Sequence, residues 1–109
     1  MSDDFAPHLV ALRHAVAAGF QFQQLAEGLS GARMRAGTIE VLLVRDTTDC
    51  VAARYRLDDL ERPGPCALWS AGGTVAEIVD RLLGLPQHGE SGAPSLARSS
   101  GLWLPRSPR

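Results

Sequence analysis

Thr38-Ile39-Glu40-Val41-Leu42-Leu43-Val44-Arg45 is a branched, apolar run, too short to make a good helix. After Asp46-Thr47-Thr48-Asp49, four residues of turn-forming type, a second run from Val51 to Leu57 alternates in character. Val51, Ala53, Tyr55 and Leu57 fall on one side of it, and Ala52, Arg54 and Arg56 on the other. Two alternating runs joined by so short a polar link predict an antiparallel hairpin. That hairpin decides the fold class, because the flanking sequence reads mainly as helix or connection.

Upstream, Phe5, Leu9, Leu12 and Val16 recur at i, i+4, i+7 and i+11, with Val10 and Ala17 widening the stripe, which predicts an amphipathic helix. Ser2, Asp3 and Asp4 offer capping oxygens, Pro7 fits only a first turn, and Gly19 supplies a stop. Phe20 and Phe22 flank Gln21 with the period of a short strand, the alternative being a helix continued towards Gly28. Glu27 to Gly37, punctuated by glycine and serine, reads as a loop.

Downstream, Asp58 to Pro65 is a polar connection and Cys66 to Trp69 a short strand. Ser70-Ala71-Gly72-Gly73 turns into a second helix, where Thr74 and Glu77 have the spacing of a capping box. Val75, Ile78, Val79 and Leu82 form its apolar stripe, Glu77 and Arg81 are spaced to pair on its outer face, and Gly84 and Pro86 end it.

The order is thus α-(β)-β-β-β-α over residues 1–86. It predicts a small two-layer α+β domain, with an antiparallel sheet of three or four strands and both helices on one face. The more apolar face of the hairpin (Ile39, Val41, Leu43, Val51, Ala53, Tyr55) is expected beneath the helices. Arg54 and Arg56, joined by Arg45 across the hairpin, would then stand on an open face. From Gln87 the composition turns to Gly, Ser, Pro and Arg, and no acidic residue follows Glu90. Residues 87–109 read as a mobile tail, interrupted by one apolar island, Leu102-Trp103-Leu104.

All 11 basic residues are arginine, and the chain has neither lysine nor asparagine. Those two absent residues have A/T-rich codons, so the pattern points to a small bacterial protein from a GC-rich genome. An arginine here need not have been selected over lysine for its bidentate fork. A net charge of −1 disfavours nucleic acid as partner. No apolar run is long enough to span a bilayer, and an acidic start does not resemble a signal peptide. The cytoplasm is the expected address, with Cys50 and Cys66 as reduced thiols.

No metal or cofactor is implied. The phosphate-loop and dinucleotide-loop patterns are missing. His8 and His14 lie six apart, away from the i, i+4 spacing of a helical ligand pair, and Cys50 and Cys66 sit among apolar neighbours that quench a thiolate. No catalytic signature emerges. Three function classes follow. The first is a non-catalytic adaptor, a homodimer or one subunit of a complex, binding through Arg45, Arg54, Arg56 and the Leu102-Trp103-Leu104 island. The second is an anion- or ligand-binding domain using Gly72, Gly73 and Thr74 at a helix N-terminus. The third is a weak nucleic-acid binder using the sheet arginines.

Overall fold

The computed structural model describes residues 5–61, 66–94 and 98–99. The chain folds as an α+β domain in which a five-stranded antiparallel sheet, ordered β1-β2-β3-β4-β6, carries two helices on one face. Helix α1 is Ala6–Ala17 and α2 is Val75–Leu83; the strands are β1 Gln21–Leu25, β2 Gly28–Arg35, β3 Thr38–Asp46, β4 Asp49–Arg56 and β6 Trp69–Gly73. A 3-10 turn, Leu57–Glu61, follows β4. Two short strands, β5 Cys66–Ala67 and β7 Arg98–Ser99, pair with each other outside the main sheet.

The hairpin forms as expected, with Ile39 opposite Tyr55, Val41 opposite Ala53 and Leu43 opposite Val51. Its four-residue link tightens to Thr47-Thr48, because Asp46 and Asp49 pair and a bulge at Arg45 absorbs the extra residue. After Gly19 closes α1 at φ 108°, Gln21–Leu25 resolves as strand and not as a continued helix.

The expected loop Glu27 to Gly37 is instead mostly β2, between β1 and β3, and it raises the expected three or four strands to five. Its glycines, which suggested a loop, permit close approach. A Cβ on Gly28 would lie 2.3 Å from the Val44 carbonyl oxygen, and one on Gly31 would lie 2.4 Å from the Phe22 ring. Likewise Ser70 to Gly73, expected as a turn, is strand β6 along β4, with Ala52 opposite Ala71.

Helix α2 matches its sequence in every respect but one. The Thr74 hydroxyl accepts from the Glu77 amide, the Glu77 carboxylate accepts from the Thr74 amide, and Val75, Ile78, Val79 and Leu82 are all buried. The exception is Arg81, which lies over the Trp69 ring at 5.7 Å while Glu77 turns back to the cap.

Helix α1 departs from its stripe. Its buried residues are Ala11 and Ala15, whereas Leu9 (55% exposed) and Val16 (58%) face outward and Leu12 is half-buried. Small alanines let α1 lie close against α2 on the shared core, and the larger side chains overhang the β1–β2 side of the sheet.

The face beneath the helices is also opposite to the one expected. The core joins Ala11, Ala15 and the α2 stripe to Leu42, Cys50, Ala52 and Ala71, with Val44 and Trp69 packed against it. Ile39, Val41, Ala53, Tyr55 and Ala67 form a separate, smaller cluster on the other side. Strand β4 is buried on both faces from Cys50 to Tyr55, so the hairpin's two faces differ less in burial than in what satisfies them.

Candidate functional site: a buried arginine ladder and an apolar groove

Arg33, Glu40 and Arg54 stand directly opposite one another across β2, β3 and β4. Glu40 is 1% exposed, and each of its oxygens is claimed. Oε1 accepts from Arg33 Nε at 2.6 Å, and Oε2 accepts from Arg54 Nε at 2.9 Å and Nη2 at 2.6 Å. The spare guanidinium donors reach helix ends. Arg33 Nη1 donates to the Ala18 carbonyl at 2.7 Å, and Arg54 Nη1 donates to the Pro86 carbonyl at 2.7 Å. Arg33 also lies 4.9 Å from the Phe20 ring centre.

Two cations and one anion leave a net +1 in this ladder. A helix C-terminus presents roughly −0.5 of an elementary charge. Ala18 caps α1, and Pro86 follows the Gly84 cap of α2. The negative end of α1 at Ala18 and the Pro86 carbonyl beyond α2 both face this excess charge. The ladder is therefore a clamp that fixes both helices to the sheet, and its charges have no access to a partner.

This overturns the expected open face of arginines. Arg54 is 2% exposed beneath the helices. Arg56 lies at the end of β4, with Nη1 3.5 Å from Asp59 Oδ2. Arg45 sits at the opposite end of the hairpin, where its Nε meets Asp49 Oδ2 at 3.2 Å. The three arginines are not brought together. Leu102, Trp103 and Leu104 lie outside the described residues.

Gly72, Gly73 and Thr74 do run into a helix N-terminus, but the donors there are engaged. The Thr74 amide donates to Glu77, the Val75 amide to the Thr47 carbonyl at 2.9 Å, the Ala76 amide to His8 Nδ1 at 3.2 Å and the Glu77 amide to Thr74. A carboxylate, Glu77, also occupies the position an anion would take. The proposed anion cradle thus lacks free amides. His8 serves as an acceptor joining α1 to α2, while His14 is exposed and His88 half-buried.

Cys50 is 1% exposed, and burial pushes its thiol up from 9.0 to about 12, with Asp49 adding to the rise and Arg45 opposing it. Such a thiol is inert as a nucleophile at neutral pH. Among the described residues no group of three or more His, Cys, Asp or Glu is placed to hold a metal ion. Among them, too, no helix is long and apolar enough to cross a membrane.

The feature that sequence reading missed is an apolar groove of about 410 Å³ between α1 and the β1–β2 edge. It is lined by Leu9, Leu12, Arg13, Val16, Phe22 and Leu29. Phe22 seats its ring over Gly31, and Leu29 lies opposite Val44, so the floor stands on paired strands. The signal was present as the stripe Leu9, Leu12 and Val16. Its periodicity correctly gave a helix, but not which helical face the sheet would take. A scan against protein-family models, a search of the curated proteins and a search of solved structures each find nothing that matches this chain.

Proposed function

We propose that this is a non-catalytic, cytoplasmic protein-binding domain, an adaptor or subunit, whose docking surface is the α1/β1 groove. The observation that carries the reading is the outward stripe of α1. Leu9 and Val16 are more than half exposed beside an apolar floor, in a helix whose own inward contacts are made by alanines. A contiguous apolar surface of this kind is costly to leave in water and is characteristic of interaction sites. The earlier candidate surface, the sheet arginines, is occupied by internal pairing in the case of Arg54. The inert Cys50 thiol and the engaged amides at Thr74 to Glu77 favour binding of protein over chemistry or anion capture.

The test is site-specific photo-crosslinking in cells that express the full chain, with a photoreactive residue replacing Val16 and, as control, exposed Thr48 at the β3–β4 turn. The reading expects protein adducts from position 16 and none from position 48. Equal labelling from both positions, or no protein adduct from position 16, refutes it.

A further inference from the structure

We propose that the occupant of the groove is a second copy of this chain, paired antiparallel β1 to β1 about a two-fold axis through Gln23. This rests on the docking reading above and names its partner.

The first argument is the edge itself. β1 ends the main sheet, and four of its five side chains are exposed; β6, at the other end, has one exposed position. An edge strand presents unpaired backbone donors and acceptors, and proteins that must stay monomeric blunt it with lysine, proline, a bulge or an inward charge. Gln21-Phe22-Gln23-Gln24-Leu25 carries none of these, and its pairing with β2 is regular. The net charge of −1 also gives two copies little mutual repulsion.

The second argument is register. β1 and β2 are joined by Ala26-Glu27, with Leu25 opposite Gly28. In a two-residue hairpin the flanking pair exchanges ladder bonds, and the pattern alternates along the strand. Gln21, Gln23 and Leu25 then bond inward to β2, while Phe22 and Gln24 aim their N–H and C=O groups outward. An axis through Gln23 sets Phe22 of one copy opposite Gln24 of the other, twice. Every outward group of the strand finds a complement, and all five residues are paired.

The third argument is continuity. Phe22 belongs both to this edge and to the groove floor, and the overhanging Leu9 and Val16 lie in the same layer. A two-fold at Gln23 therefore brings two apolar grooves side by side, removing both from water as the backbones pair. An isologous contact of this type closes on itself.

The test uses the full chain carrying Cys66→Ser, leaving Cys50 as a buried thiol. Solution mass is measured over the micromolar range by light scattering, alongside mild oxidation of Gln23→Cys and Gln21→Cys variants. Opposed non-hydrogen-bonded residues in an antiparallel pair have Cα atoms about 4.5 Å apart, within disulfide reach. The proposal expects a dimer, self-linking through position 23, and little self-linking through position 21, whose neighbour would be Leu25 of the other copy. Gln24→Pro removes an outward N–H while sparing the bonds to β2, and Val16→Arg places charge in the groove. Each should yield monomer with an unchanged circular dichroism spectrum.

A monomer throughout the range overturns the pairing. A dimer that survives Gln24→Pro and links no better through position 23 than through 21 overturns it too. If the chain is monomeric yet position 16 still crosslinks to a different protein, the docking reading stands and only the choice of partner fails.

Discussion

Replacing Glu40 with Gln keeps the volume of the buried ladder and removes its only negative charge. The two guanidiniums that flank it, Arg33 and Arg54, would then face an amide that can accept from one side only, within a site almost closed to water. Removing one partner of a buried ionic cluster costs about 3–5 kcal/mol, mainly from the uncompensated charge left behind. Against a total stability of roughly 5–15 kcal/mol for a domain, that is a large fraction. For a domain near this size each kcal/mol lowers the midpoint by about 4–8 °C, so Glu40→Gln should melt at least about 12 °C below the parent. Urea unfolding should show a lower midpoint with an unchanged slope.

The companion variant is the triple Arg33→Met, Glu40→Leu, Arg54→Met, which replaces the ladder with apolar groups. It should recover most of the loss, because desolvating charges offsets much of what pairing them contributes. A Glu40→Gln protein within about 1 kcal/mol of the parent would refute the clamp. A triple variant as unstable as the single one would show that shape, not charge, dominates there.

Further outcomes follow from the same structure. Cys50 should resist thiol reagents at neutral pH until the protein unfolds, measured by labelling rate against urea. The Cys50 thiol is raised from 9.0 to about 12, chiefly by burial, and the Tyr55 phenol from 10.0 to about 12, by burial and then by Cys66. Both shifts favour the neutral form in the fold, so their stabilisation is complete below about pH 9 and is lost as pH climbs towards 12. The melting temperature should be insensitive to these groups at neutral pH and fall in the alkaline range; absorbance of Tyr55, the only tyrosine, should titrate late. Gly28→Ala should cost more than about 1 kcal/mol in a urea titration, since φ 152° and the Val44 carbonyl both oppose a Cβ. Thr74→Ala should cost about 0.5–2 kcal/mol by removing the cap of α2.

Local rules were legible wherever one segment satisfied itself. The capping box at Thr74 and Glu77, the α2 stripe, the stop at Gly19 and the hairpin pairing of β3 with β4 all depend on near neighbours, and each formed as the residue types dictate. β2 was hidden because its glycines are used for contacts with Val44 and Phe22, whose proximity no local pattern reveals.

Sequence alone determined the class of fold, two helices against an antiparallel sheet, because periodicity and caps are properties of short segments. Only the tertiary structure decided which face of each element is inside. Charged Arg54 went under the helices because Glu40 and the Pro86 carbonyl satisfy it there, and α1 turned inward on Ala11 and Ala15 because small side chains permit close packing. Hydrophobicity ranks residues by their transfer from water one at a time. Burial is settled by what they meet on arrival, and that inversion left the apolar stripe of α1 outside.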